Sequence, residues 1–296
     1  MGLYTLQIVF CLKFSMTTSI IETTKGKIEY CENGRGKAIL FVHGGHVNCR
    51  ETIFQKGLDP NRFCFITPSR PGYGNTPLTD FNRTSKGTAD LFIALLDELK
   101  LTKAIVIGIS AGGLTALQIA ANYPARVERL VLMSSLTKKW FISTYKVYLL
   151  KKLFAPATEG LIWFLYGTFF KLFPNAMTKI MFKGLSKYRP VEFTEEEFKE
   201  LKQVTMNMRS GNGFDNDLDQ TIDQEILSRI ECPTLILHSE YDNAVDNSHP
   251  ENAKNRIRNS KLVIFKNHWG HLLWLGTDYE AILNVLRQEL IDKSQS

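Results

Sequence analysis

"AIVIGISAGG", residues 104–113, sets a serine between two glycines at the point where an apolar run stops. Residues 104–107 show no alternation of apolar and polar side chains, as a parallel strand buried on both faces requires. From Gly112 onward, Leu114, Leu117 and Ala121 return at helical spacing until Tyr123 and Pro124 end the pattern. Ser110 therefore falls at a strand-to-helix junction. The flanks of so sharp a turn press on neighbouring backbone, so the residues two before and two after its apex must be small. Gly108 and Gly112 meet that demand, and G-x-S-x-G holds the serine strained with its hydroxyl exposed, as a nucleophile needs. A dinucleotide-binding loop would require G-x-G-x-x-G in the opening strand–helix unit. Here the glycines fall at 108, 112 and 113, in a later unit.

Around this junction, strand-like and helix-like runs alternate between residues 27 and 124. "KIEYC" and "KAILFV" flank the turn "ENGRG", and "RFCFITP" follows. An amphipathic stretch then carries Ala89, Phe92, Leu95, Leu96 and Leu99, and "VERLVLM" comes after the serine unit. Strands resume at "PTLILH" and "KLVIF", before a closing helix with Tyr279, Ile282, Leu283 and Leu286. This is the grammar of an α/β protein, a mostly parallel sheet flanked by helices. Residues 136–222 break it with aromatic-rich helical stretches and no buried-strand run, and Thr194 with Glu197 forms a capping box. The expected organisation is an N-terminal extension (1–23), a core in two pieces (24–135 and 223–296) and an inserted helical cap (136–222).

Composition narrows the classes. The chain has 296 residues, enough for a large core, with 44% hydrophobic and 22% charged residues and a net charge of +6. Basic residues form no dense block, so no nucleic-acid partner is expected and membrane contact is at most peripheral. Cys11, Cys31, Cys49, Cys64 and Cys232 are odd in number and lack metal-type spacing, which favours free thiols in a reducing, cytoplasmic setting. His43, His46 and Cys49 lie close in sequence, but no CxxC or HExxH supports a metal. The apolar run at 6–12 has no basic residue before it and no small-residue cleavage site after it, and Met16 is an alternative start. "LIWFLYGTFFKLF", 161–173, is too short for a membrane span, which takes about 20 apolar residues.

A serine hydroxyl needs a base, and the base an orienting carboxylate. Candidates stand beyond the last strands: Glu240, Asp242 and Asp246 after "PTLILH", and His268 and His271 after "KLVIF". The order Ser, Asp, His is that of one hydrolase class. The remaining histidines are expected elsewhere, His43 and His238 bracing loops and His249, before Pro250, at the surface.

With these motifs, the chain resembles the α/β-hydrolase fold family of the compact type with a helical cap. "HGG" (43–45) resembles its His-Gly oxyanion loop, and "SRPGYG" (69–74) its D-x-R-G-x-G-like loop, with Ser69 where an acid is common. "PTLILHSEYD" resembles the segment ending in the triad acid, and "WGHLLWLG" the Gly-His segment of the base. The resemblance implies Ser110 as nucleophile, Asp242 as acid and His271 as base, with backbone donors at Gly45 and Ala111 for the oxyanion. It implies no cofactor and no metal.

A serine rather than an aspartate at 110 argues against dehalogenase and epoxide-hydrolase chemistry and for a carboxylic-ester hydrolase. The substrate is expected to be a small acyl compound with an apolar part. His46, Trp140, Trp163 and Phe164 are its candidate contacts, and the protein is expected as a monomer or homodimer. The alternatives are a proline-iminopeptidase-like enzyme, a hydrolase of carbon–carbon bonds, or a ligand sensor that keeps the triad with little turnover. The first departs at His46 and Val47, where Pro-Gly is usual.

Overall fold

The computed structural model describes residues 17–189 and 192–290. Cys11 and the apolar run at 6–12 lie outside them. The strands are β1 (Thr17–Thr23), β2 (Gly26–Gly34), β3 (Lys37–Val42), β4 (Phe63–Pro68), β5 (Ala104–Ile109), β6 (Val127–Met133), β7 (Thr234–Ser239) and β8 (Ser260–Phe265). They form one sheet in the order β1-β2-β4-β3-β5-β6-β7-β8. The pairs β1–β2 and β2–β4 are antiparallel, and the rest of the sheet is parallel. Residues 17–23, expected within an extension, form the edge strand instead.

Helices α1 (Ser85–Glu98) and α2 (Gly113–Asn122) precede and follow β5. Between β6 and β7 lie α3 (Thr144–Leu153), α4 (Glu159–Leu172), α5 (Pro174–Leu185), α6 (Glu195–Asn207) and the short α7 (Gly213–Asp217). α8 (Ser248–Arg256) joins β7 to β8, and α9 (Tyr279–Leu290) closes the described chain. No helix among the described residues is long and apolar enough to cross a membrane.

The uniformly apolar strands divide by parity. Leu40, Val42, Val106, Leu130, Leu132 and Ile236 face a core built with α1, α2 and α8. Ile39, Phe41, Ile107, Val131, Leu235 and Leu237 face a second core with α9, into which the buried faces of α4, α5 and α6 also pack. Burial on both faces explains the missing alternation. Cys31, Cys49, Cys64 and Cys232 are free and buried, and the Cys31 thiol lies 3.0 Å from Cys49 Sγ.

Phe92 on α1 is fully buried in the first core. Phe92→Ala is expected to cost about 3–5 kcal/mol, read as a lower urea midpoint at unchanged slope.

Candidate active site

Ser110 sits directly after β5 with φ +51°, in the left-handed region that L-residues enter only at a cost. Its neighbours show why the turn needs glycine. A Cβ on Gly112 would stand 2.1 Å from the Val42 carbonyl oxygen, and one on Gly108 2.6 Å from Ala116 Cβ. A Cβ on Gly44 would stand 2.9 Å from Ser110 Cβ. The turn packs this closely against β3, α2 and the loop after β3 only because these residues lack side chains.

A continuous chain of hydrogen bonds leaves its hydroxyl. Ser110 Oγ is 2.9 Å from His271 Nε2, and His271 Nδ1 is 2.9 Å from Asp242 Oδ2. Asp242 Oδ1 accepts from the backbone N–H of Ala244 at 2.9 Å and of Val245 at 2.8 Å. Burial alone would push the Asp242 carboxyl up. His271, His238 and the Val245 N–H outweigh it and hold the group below the usual aspartate range. An ionised Asp242 can only accept, so the Nδ1 proton is assigned to His271 and the Nε2 lone pair faces the serine. That arrangement can draw a proton from a hydroxyl. Glu240 and Asp246 take no part: Asp246 accepts from Ser248 N at the start of α8.

The loop facing Ser110 is tied down by charge. Arg70 and Asp217 are both buried and meet in a two-pronged pair, Nη1–Oδ1 at 2.6 Å and Nη2–Oδ2 at 2.7 Å. Tyr73 donates its hydroxyl to the same carboxylate at 2.6 Å. Arg70 Nη2 also donates to the Gly44 carbonyl at 3.0 Å, which His43 Nδ1 meets at 2.8 Å. In a trans peptide the N–H points opposite to the C=O, so a Gly44 carbonyl turned to Arg70 turns the Gly45 N–H away from it. His43 braces the loop, as expected. Its Nε2 accepts from Arg70 N at 2.9 Å, and burial with the nearby Arg70 charge holds it neutral. The acid missing at position 69 arrives from another strand: Ser69 Oγ donates to buried Glu29 on β2 at 2.8 Å.

The helices between β6 and β7 stitch the acid and base loops together. At the end of α5 the Leu185 carbonyl accepts from His271 N at 2.9 Å and Asn243 N at 3.2 Å. Lys187 N donates to the Tyr241 carbonyl at 2.8 Å, and Ser186 Oγ to the His268 carbonyl at 2.6 Å. Gly270, at φ +60°, leaves room, since a Cβ there would lie 2.6 Å from the Leu185 oxygen and 2.8 Å from the Tyr241 oxygen.

His268 is not a free loop histidine. Its Nε2 lies 2.8 Å from Glu197 and its Nδ1 2.7 Å from Asp278, and Trp269 Nε1 donates to the same Glu197 oxygen at 2.7 Å. Glu197 also closes the expected capping box with Thr194. The Glu197 contact, opposed by burial and aided by Asp278, raises the His268 pKa. Burial pushes Glu197 up, yet His268, the Thr194 N–H and Trp269 hold it at about 2.

The other expected contacts separate. His46 (φ +63°) lies in an aromatic cluster, with ring centroids 3.9 Å from Phe214, 4.7 Å from Phe154 and 5.1 Å from Trp163. Ser210 Oγ is 2.8 Å from both His46 Nδ1 and Trp163 Nε1. Burial, with Arg70 nearby, pushes the His46 pKa to about 3, so the ring is neutral. Trp140 is half-buried and donates Nε1 to the Ala244 carbonyl at 2.8 Å, beside the acid loop. Phe164 is 65% exposed on the outer side of α4, one residue and about 100° round the helix from buried Trp163. His249 is buried rather than at the surface, its Nδ1 accepting from Thr137 N at 3.1 Å. His238 is also buried, its Nε2 3.8 Å from Asp242 Oδ2. Among the described residues, no group of three His, Cys, Asp or Glu side chains could hold a metal ion.

Comparisons with known proteins bear on the family and the fold. A family model described as alpha/beta hydrolase fold matches residues 37–275. The chain is 37% identical over 264 residues to the uncharacterized hydrolase YcgS of Bacillus subtilis, covering 86% of this chain and 91% of that one. An alpha/beta hydrolase fold protein from Nakamurella multipartita superposes with a TM-score of 0.75 at 24% identity, covering 92% of this chain and 98% of that one. The esterase EaEST from Exiguobacterium antarcticum gives 0.68 at 20% identity, covering 92% and 99%.

Two outcomes are expected. Arg70→Ala leaves Asp217 buried without its cation and is expected to destabilise the protein by about 3–5 kcal/mol in chemical denaturation. The second concerns pH. The raised pKa of His268 contributes stability below the ordinary value of 6.5 and loses it as pH rises through the folded value. The lowered pKa of Glu197 contributes above its ordinary 4.5 and fades as pH falls toward about 2. Melting curves of His268→Gln should therefore depart most from the unaltered protein between those ordinary values and converge at alkaline pH.

Proposed function

Because the chain belongs to the α/β-hydrolase fold family, we propose that it is a serine hydrolase cleaving a carboxylic ester or related acyl substrate through an acyl-enzyme. The observation that carries this reading is the unbroken path Asp242–His271–Ser110, with both links at 2.9 Å. Similarity in fold to a named esterase is compatible with it.

In this reading His271 Nε2 takes the Ser110 proton as Oγ attacks the carbonyl carbon, and Asp242 stabilises the resulting imidazolium. The Gly45 N–H, turned away from the pinned Gly44 carbonyl, and the Ala111 N–H receive the oxyanion. Each such donor is worth roughly 3 kcal/mol of barrier. His271 then returns the proton to the leaving group, and water repeats the sequence to release the acid.

The inserted helices act here as a cap, supplying an apolar wall beside the oxyanion loop. Phe214 supports that role, since a Cβ on Gly45 would lie 3.2 Å from its ring. Phe154, Trp163 and neutral His46 complete the aromatic cluster. Such a wall suits an acyl chain or ring.

A fluorophosphonate probe is expected to label Ser110, mapped by mass spectrometry. Ser110→Ala should keep its fold by circular dichroism while losing labelling and at least ~10³-fold in kcat on p-nitrophenyl butyrate. Labelling at another residue, or turnover that survives in Ser110→Ala, would refute the assignment.

A further inference from the structure

The helices between β6 and β7 carry a surface that the hydrolytic site does not use. On α4 the inner stripe, Trp163, Gly167 and Phe170, is buried. The outer stripe, Leu161, Phe164, Leu165, Phe169 and Leu172, is equally apolar and is 40–65% exposed. Positions i, i+3, i+4, i+8 and i+11 form the face that a helix of a water-soluble protein fills with polar groups. α3 repeats the pattern. Val147 and Leu150 pack inward against the cluster of Tyr73, Phe214 and Leu218. Tyr145, Tyr148, Leu149 and Leu153 lie outward, 43–71% exposed. The two helices are neighbours, with the Phe154 and Trp163 rings 5.4 Å apart.

Charge accompanies this apolar surface. Between residues 138 and 189 the sequence holds ten Lys or Arg and a single acid, Glu159, so the segment carries +9. The whole chain is +6, so the remainder is net negative at −3. Glu159 is turned inward, accepting from Ser210 N at 2.9 Å. Lys146, Lys152, Lys171, Lys179 and Lys183 are exposed on the same three helices. Lys152 Nζ lies 4.7 Å from the Tyr148 ring centroid, an ammonium held beside an aromatic on one face. A cleft of ≈ 390 Å³ at α5 continues the theme, with Ile180, Phe182 and Phe193 beside Lys179, Lys183 and Arg189.

We infer that the outer faces of α3, α4 and α5 form a docking surface for a lipid bilayer bearing anionic headgroups. Exposed Leu, Phe and Tyr would enter the interface between headgroups and acyl chains, while the lysines stay at the phosphate level. The positive charge selects this occupant. An apolar face alone would suit a second copy of the chain, but two copies meeting through it would bring two lysine-rich surfaces together. Attachment through such a face is peripheral and reversible. It does not depend on the hydrolytic reading.

The test is sedimentation of the full chain with phosphatidylcholine vesicles, with and without phosphatidylserine. Each variant is checked by circular dichroism and by p-nitrophenyl butyrate turnover without vesicles. Binding is expected to the phosphatidylserine vesicles and to weaken steeply with added salt. Leu165→Glu/Phe169→Glu should abolish it. Lys146→Glu/Lys152→Glu/Lys171→Glu/Lys183→Glu should weaken it by about 10²-fold or more, given about 1 kcal/mol per basic residue near an anionic surface. Lys25→Glu/Lys100→Glu, outside the segment, should bind within a few-fold of the unaltered protein. Repeating the binding with Ser110→Ala separates docking from catalysis. Binding that survives both α3–α5 variants, or no binding at all, would overturn the inference. So would a dimer in solution that the same apolar substitutions dissociate.

Discussion

The guanidinium of Arg70 is the constraint on which the candidate site most depends. Its two-pronged pair with Asp217 joins the loop after β4 to α7, and its remaining reach pins the Gly44 carbonyl. A buried pair of this kind contributes little net stability compared with an apolar replacement. Its geometry is where it matters. Five donors in one rigid plane can hold two partners at fixed angles, which a lysine ammonium cannot do. The direction of the Gly44 peptide, and with it the Gly45 N–H, follows from where that plane lies. The surrounding glycines serve the same end: a Cβ on Gly72 would stand 2.6 Å from Gly213 N, and one on Gly213 2.2 Å from the Tyr73 ring. The loops at 69–74 and 209–214 interlock because both are bare at the contact.

A second tie acts through backbone. The strand-end loops bearing Asp242 and His271 are separate excursions from the sheet, and the Leu185 carbonyl bonds to both. Glu197 adds a charged clasp on the far side of the base loop through His268 and Trp269. The inserted helices are therefore part of what sets the distance between base and acid. An opening of this segment that freed residues 185–187 would loosen the Asp242–His271 geometry at the same time.

Much of this was legible in the sequence, and the remainder was hidden for physical reasons. β3 spans the same six residues as "KAILFV", and β5 ends at the residue before Ser110, because runs buried on both faces have sharp ends. Ser110 is legible from the glycines at 108 and 112, which mark close approaches that tolerate no side chain, whereas Asp242 and His271 are singled out among neighbouring acids and histidines by the family resemblance. β1 was missed: it is an edge strand exposed along most of its length, and "TTSIIET" carries little hydrophobic signal. Arg70 could be seen within its motif, but Asp217 lies 147 residues away and no local pattern links them. The Leu185 tie is main chain only and leaves no side-chain signature. His249 was misplaced because a histidine before a proline reads as loop, whereas here it anchors the segment leaving β6.

The aromatic wealth of the inserted segment hides its own helical period, because two demands overlap in it. α4 must present Trp163 and Phe170 to the core beneath, and periodicity should then mark the opposite side as polar. Instead the outward positions are also Leu and Phe, so the helical period vanishes and Phe164 could not be told from Trp163 by spacing. A sequence with one apolar demand shows its period, and a sequence with two loses it. The lost period is thus itself a signal of a second apolar environment. An anionic second environment, as proposed for the outer faces of α3, α4 and α5, matches a stretch dense in lysine from which nearly all acids are absent. Solvation of a helix face is served by polar groups of either sign, so a bias to one sign across three helices is extra to what solvation asks and is what attraction to an opposite charge would use.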